Sequence, residues 1–477
     1  MKTGMGDLMA GYTMSSFCWR KAGQGIAVVA GVSLVAACTD APYTPPTFPF
    51  LGTYSARADS VPRILDNHDW WRQFKDPVLD ALVERALSDS LSLELAKERV
   101  IEAQAARDGL PMAASLAPNA RVQRERQDGG PSLTRSEASL GFDWLLDIYG
   151  ARRAQVEAAG ARIEIADAEL DAARLLLLLN LANAYVDLRY QQASLHLRRS
   201  ELRSRRQTLD LVDTLFKGDA ATSIDVVRAK ALVSETQAEI PAIEAAIANL
   251  KSEIAVLSGR MPGQALPDLD SRAVQPRVSL SPKVGIPSDL LRNRPDIRVA
   301  ERGYYAALRD LKVANAALYP QLSLGGTISL SSVSGNRNTD YVFGPALRLP
   351  VLPAQGARAT VAQRDSRVRQ AHTAWRIAVL EAIGDVEGAL ADYEASMRGR
   401  NAATETVRLY TEAVRLTRES VDKDGGTIRD LIDAEQNLAV ANAGLANALR
   451  QSGRSFIALN INLGAGHRYG ALAEKAR

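Results

Sequence analysis

The residue types that do chemistry are few in this chain and poorly placed for it. Its four histidines, His68, His196, His372 and His467, are scattered, and no pair has the spacing of zinc ligands. The two cysteines, Cys18 and Cys38, lie in or at the end of an N-terminal apolar segment, so the body of the chain has no thiol for a disulfide or a metal. There is no phosphate-cradling glycine loop and no Ser or Cys nucleophile with a base nearby, which argues against an enzyme. The carboxylates that stand out are Asp430 and Asp433, in Thr427-Ile-Arg-Asp-Leu-Ile-Asp-Ala434, just after Gly425-Gly426. Near a helix start, an Asp complements free amides and the macrodipole by about 0.3 to 1 kcal/mol, a purely structural use.

Long periodic segments position these residues. Upstream, Val379, Ile383, Val386, Leu390, Tyr393 and Met397 follow a heptad rhythm that needs partner helices to bury its seam. Downstream, Leu431, Leu438, Leu445 and Leu459 share one seven-residue register, with Leu449 and Phe456 on the adjoining one. The chain is therefore expected to turn at the glycines and run back as an antiparallel helical hairpin. An earlier stretch from Lys217 through Gly218 to Ala229 echoes the layout: Asp225, Ala229 and Gly259 align with Asp430, Ala434 and Gly464 at a constant offset of about 205 residues. Helical periodicity from 150 to 217 and from 356 to 424 runs for about 68 residues each, far beyond the average globular helix. In the first, Leu170, Leu177, Leu181, Ala184 and Leu188 make the seam, and Arg174 and Asn180 flank its most apolar run, which marks a packed helix and not a membrane span. The returning helices span 224–257 and 428–463, and Pro241 predicts a kink or break in the former. Asp76 before Pro77 is a helix start, with Val78, Leu82, Val83 and Leu87 on one face, and a second helix covers 93–110.

Four shorter pieces alternate with period two. Residues 119–127 and 136–145 flank the turn Asp128-Gly129-Gly130-Pro131, and 321–330 and 341–349 repeat the arrangement about 200 residues on. Ala138, Leu140, Phe142 and Trp144 share one face while Glu137, Ser139 and Asp143 share the other. Such strands suit either a soluble sheet packed on a helix or a membrane barrel with Leu140, Phe142 and Trp144 toward lipid. The first strand is the weak member, because Arg124 and Arg126 have the parity of Val122 and would lie beyond the membrane. Four strands cannot close a barrel alone, so the barrel reading requires oligomerisation.

Aromatic residues make up only 5% of the 477, while Ala and Leu fill the periodic segments, which favours close-packed helices over a thick globular core. The 58 basic and 55 acidic residues nearly balance, and no nucleic-acid or other polyanion partner is implied. Arg20-Lys21 followed by an apolar stretch too short for a comfortable span reads as a secretory signal peptide. It ends Leu34-Val35-Ala36-Ala37-Cys38, which resembles the bacterial lipobox cleaved before a lipid-modified Cys; Cys38 would then be the mature N-terminus and its lipid the sole covalent addition, with no cofactor or metal. The tether that follows carries Pro42, Pro45, Pro46, Pro49 and Pro62. The expected division is a signal peptide over 1–37, an extended tether over 38–68, a first repeat over 69–260, a connector over 261–287, a second repeat over 288–466 and a tail over 467–477.

The run Ile286-Pro-Ser-Asp-Leu-Leu-Arg-Asn-Arg-Pro-Asp-Ile-Arg-Val-Ala-Glu-Arg302, continuing through Ala314-Asn-Ala-Ala-Leu-Tyr-Pro-Gln-Leu-Ser-Leu324, resembles the signature of TolC-like outer-membrane efflux lipoproteins. Trp70-Trp71 with Asp76-Pro77, the lipobox and the duplicated layout agree with it over nearly all of the mature chain. The resemblance implies a mainly α protein with a membrane β-barrel: a homotrimer with a 12-stranded barrel and a 12-helix periplasmic tunnel in the outer membrane. Its implied partners are an inner-membrane pump of the resistance-nodulation-division class and a periplasmic adaptor. By the same resemblance Asp430 and Asp433 belong to the closed periplasmic constriction, and Asp225 marks the matching turn of the first half; the helix-start reading of these aspartates stands beside it. Relatives often end this motif Ala-Gln-Arg where this chain has Ala434-Glu435-Gln436, so a bridge made by that arginine would fall to another residue, such as Arg429. Two other functions fit parts of the pattern: a duct for type I protein secretion, and a lipid-anchored coiled-coil scaffold.

Overall fold

The computed structural model describes residues 45–49, 69–126, 128–264, 267–270, 274–278, 294–333, 335–350, 353–422 and 427–466. Cys38, Gly425 and Gly426 lie outside them, as does the first part of the 286–302 run. Segments Pro111–Ala154 and Lys312–Thr360 fall in one compact unit, and Thr47–Leu110, Gln155–Leu311 and Val361–Arg477 in a second.

The first unit is built on a sheet of β1 (Ala114–Glu125), β2 (Leu133–Leu146), β3 (Gln321–Val333) and β4 (Asn336–Arg348), antiparallel and in that order. The expected strand at 119–127 begins five residues earlier in the structure and ends before Arg126. Pro118 hides that extension in the sequence; it sits on an edge strand, as does Pro345 in β4, where a missing N–H is tolerated. Beyond β2, the Asp147 carboxylate accepts from the backbone amides of Arg152 and Arg153 at 3.0 and 2.9 Å, which starts the next helix. Tyr149 and Tyr319 stack with ring centroids 4.7 Å apart at the same end of the sheet.

The second unit is helical. Its elements are α1 (Pro77–Asp89), α2 (Leu91–Asp108), α3 (Ala151–Lys217), α4 (Ser223–Leu257), α5 (Pro295–Ala316), α6 (Gln355–Asp422) and α7 (Ile428–Asn462). α4 runs unbroken through Pro241. Asp76 caps α1 by accepting from the Val78 amide at 3.0 Å. The fully buried stripe of α1 is Leu79, Leu82, Val83 and Ala86, one position away from the expected face; Val78 and Leu87 flank it and pack at its margin.

The duplication is visible atom by atom. Gly259 ends α4 at φ 72° with its amide on Val256 O at 3.0 Å, and Arg260 N on Ala255 O at 2.8 Å. Gly464 ends α7 at φ 75° with the equivalent bonds to Ile461 O and Asn460 O at 2.8 and 2.9 Å. Both positions need a left-handed residue to satisfy the last carbonyls of the helix. The core joins a Trp70–Phe74 turn to α1, α3, α6 and α7: Trp70, Leu181, Leu188, Trp375, Val379, Val386 and Phe456 are all at most 1% exposed. Phe74 meets Phe456 edge-on at 5.4 Å, and a Cβ on Gly453 would stand 3.2 Å from Val186, so the glycine lets α7 lie close to α3.

Candidate functional site

Two places concentrate the features that the sequence singles out. The first is the sheet. Its register sets Leu116, Phe142, Gly326 and Phe343 in one row, Pro118, Leu140, Ile328 and Tyr341 in the next of that parity, and Ala114, Trp144, Leu324 and Pro345 in another. The opposite face has Asn119, Ser139, Ser329 and Asp340, or Arg121, Glu137, Ser331 and Asn338. Pairing therefore turns an alternation within each strand into one apolar and one polar face across all four. The apolar face is bare in a single chain: Leu140, Trp144, Tyr341 and Phe343 are exposed by 46, 42, 74 and 65%, and Phe142 is half-buried. Among the described residues the outer rims of β1 and β4 have no strand beside them.

The second place is the pair of helical turns. α3 ends at Lys217 and α4 begins at Ser223; α6 ends at Asp422 and α7 begins at Ile428. In the first turn the left-handed residue is Asp219, at φ 58°, and not Gly218. An Asp tolerates this region through its short polar side chain, so the neighbouring glycine is not what the turn requires. Thr427 and Asp430 form a reciprocal cap: the Thr427 amide and hydroxyl donate to Asp430 Oδ2 at 3.1 and 2.6 Å, and the Asp430 amide donates to Thr427 Oγ1 at 3.2 Å. Thr222 and Asp225 repeat this at 3.0, 2.6 and 3.3 Å. Hydrogen bonds from the threonine hold both carboxyls below the usual carboxylate range, with a smaller pull from Arg429 on each. The Thr-x-x-Asp spacing is legible in the sequence as a capping box.

Asp433 is exposed one turn further along α7. A crevice of about 290 Å³ between α4 and α7 is lined by Asp225, Arg228, Arg429, Ile432 and Asp433. The next residue but one, Glu435, is the anchor that sequence reasoning misses. Only 15% exposed, it pairs with Arg418 of α6 at 2.8 Å and accepts from Ser204 and Thr208 of α3 at 3.1 and 3.2 Å. It thus ties three helices together, one residue before Gln436, where relatives often have the arginine. Arg294 of the signature run has a similar use, holding Asp296 and Asp385 at 2.6 and 3.1 Å and donating to Asn462 O at 3.2 Å.

Among the described residues no group of three or more His, Cys, Asp or Glu is placed to hold a metal ion, and no helix is long and apolar enough to cross a membrane. The family of Outer membrane efflux proteins matches residues 82–260 and 286–465, one segment in each half of the duplication.

The chain belongs to that family. Nodulation protein T of Rhizobium leguminosarum bv. trifolii is 33% identical over 449 residues, covering 91% of this chain and 96% of its own length. Pyoverdine export outer membrane protein OpmQ of Pseudomonas aeruginosa is 30% identical over 345 residues, covering 68% of this chain and 72% of its own. The solved outer-membrane channel OprN shares the fold with a TM-score of 0.80 at 26% identity, over 90% of this chain and 99% of OprN. As an outer membrane efflux protein with the TolC-like fold, this chain is an efflux channel of the outer membrane.

Proposed function

We propose that three copies of this chain assemble so that three four-stranded sheets close into a 12-stranded barrel, and that the trimer is the exit duct of a tripartite efflux system. The supporting observation is the sheet: one wholly apolar central band, a polar opposite face and two long edges without partners. A bare apolar face of this size needs lipid, and free edges invite pairing with another strand; closure by identical copies meets both needs. Leu140, Phe142 and Trp144 then contact lipid, and the face bearing Asn119 and Asp340 lines water.

In this reading the partners are a periplasmic adaptor and an inner-membrane pump, as in the systems to which outer membrane efflux proteins belong. The cargo is small molecules, a reading supported by the pyoverdine export for which one relative is named. Each half, 69–260 and 288–466, supplies two strands and one helical hairpin, and Cys38 carries lipid. The hairpin turns form the periplasmic constriction, with Asp430 and Asp433 beside its axis, where a ring of carboxylates favours cations.

Purified protein in planar bilayers should conduct ions as a trimer. Phe142→Arg should cost about 2 to 4 kcal/mol of membrane stability if the residue lies near the midplane. Trimers and conductance unchanged by that substitution would overturn the lipid-facing assignment.

A further inference from the structure

At the turn end of the sheet the apolar face changes character. Its last apolar row is Ala120, Ala138, Leu330 and Thr339; the next is Val122, Ser136, Ser332 and Arg337, and the one beyond pairs Arg124 with Thr134. Arg124 and Arg337 are the two charges on this face, and Arg126 follows the strand end with the same parity. All three are exposed. Acids are absent from this face of the strands, because Glu125, Glu137, Asp143 and Asp340 all have the opposite parity and point to the polar side. Asp128 follows in the turn after β1. Among the described residues none of the three arginines has a carboxylate partner; Arg124 donates to Ser132 Oγ at 3.1 Å.

Arginines on a lipid-exposed face cost several kcal/mol at the membrane midplane and almost nothing at its edge, where the polar side of the boundary begins. Here the positive charges start one row past the apolar band, where lipid phosphates lie. Both hairpin turns are at this end, whereas the opposite strand ends continue in sequence into helices. Guanidinium is suited to phosphate, since its planar fork can donate two parallel hydrogen bonds to it. Segregation of all acids to the other face removes the groups that would compete for it.

We infer that Arg124, Arg126 and Arg337 form a basic collar that binds the phosphate groups of anionic lipid at the membrane boundary beside the two strand turns. In an outer membrane the phosphate-bearing lipid of the outer leaflet is a phosphorylated glycolipid, and the collar is a site for its head group. The inference rests on the lipid-facing reading of Leu140, Phe142 and Trp144, and its test separates the two.

The protein is reconstituted in nanodiscs of phosphatidylcholine with and without lipid A, and bound lipid A per chain is measured by native mass spectrometry. Each arginine removed should weaken binding about fivefold, so R124Q/R126Q/R337Q should lose roughly a hundredfold. The corresponding triple lysine variant should keep most of the binding, and Arg121→Gln, on the polar face, all of it. Inorganic phosphate alone should not compete at equal concentration, since a head group held at the boundary has the advantage of its anchored chains. Equal lipid A binding by wild type and the triple glutamine variant would overturn the collar, as would effects of Arg121→Gln as large as those of Arg337→Gln. If Phe142→Arg prevents insertion while the glutamine variant binds normally, the collar alone fails; if Phe142→Arg inserts and assembles unchanged, the lipid-facing reading fails with it.

Discussion

Thr427 and Asp430 satisfy each other at the head of α7: two donors from the threonine converge on one carboxylate oxygen, and the aspartate returns its amide to the threonine hydroxyl. The same pair stands at Thr222 and Asp225 on α4. Each cap satisfies a backbone amide on either side of the helix start, so its loss frays the first turn.

This sets a pH dependence with a definite sign. Both carboxyls are depressed below their ordinary value by the threonine hydrogen bonds, so the cap's stabilisation is full above that ordinary value and is lost as pH falls through the depressed one. Protection factors at the first turns of α4 and α7, with the intrinsic pH dependence of amide exchange divided out, should therefore be unchanged from neutral pH to about pH 5 and fall below about pH 4. Thr427→Ala should show the acid-like exchange at neutral pH. Equal protection in both proteins at all pH values would mean that the caps contribute nothing.

The two aspartates of the motif have separable roles. Asp430 is engaged in its cap, whereas Asp433 is exposed on the crevice it shares with Arg228 and Arg429. Asp433→Asn should weaken cation selectivity and block by divalent ions in single-channel recordings while leaving tip exchange unchanged. Asp430→Asn should alter exchange in the first turn of α7. A conductance change confined to Asp430→Asn would reverse these assignments.

Glu435 has three donors from two other helices and little solvent. Glu435→Ala leaves Arg418, Ser204 and Thr208 short of an acceptor beside a cavity of about 470 Å³, which water can enter. The cost should be about 1 to 3 kcal/mol, the range for an unsatisfied partly buried polar group. Glu435→Gln, which keeps an acceptor, should lose less. Thermal unfolding of the three proteins would order them, and a Glu435→Ala melt equal to wild type would refute the anchor.

How much of this is legible in the sequence depends on the range of the interaction. Heptad rhythm is local, and it gives helices at 150–217 and 356–424 against Ala151–Lys217 and Gln355–Asp422 in the structure. Period-two alternation assigns Leu140, Phe142 and Trp144 to one face, but it cannot say that Phe142 lies opposite Gly326, because that register is set between strands almost 200 residues apart. Glu435 shows the limit clearly. Its partners are 17, 227 and 231 residues away, and no local pattern announces them. The Asp219 turn is hidden for a different reason: the adjacent Gly218 is the better candidate by type, and only backbone geometry reveals which of the two is left-handed.

The register also explains a glycine that alternation leaves as a gap. On the apolar face Gly326 stands between Phe142 and Phe343, and a Cβ there would lie 2.1 Å from Phe343 Cδ1 and 2.9 Å from Val342 O. The Phe343 ring thus covers the glycine backbone, an aromatic lid over a position where a side chain would not fit. Gly326→Ala must push the ring outward and also press on a backbone carbonyl, which cannot rotate away. Overpacking of this kind typically costs about 1 to 3 kcal/mol, offset in part by alanine's lower loss of backbone entropy in a strand. Phe343→Ala removes the clash but also the cover, so the double variant should be less destabilised than the sum of the single ones. A double-mutant cycle on heat stability of the assembled protein in detergent measures that coupling, with an expected value of about 0.5 to 3 kcal/mol for residues in contact. Strict additivity would show that the ring does not rest on the glycine.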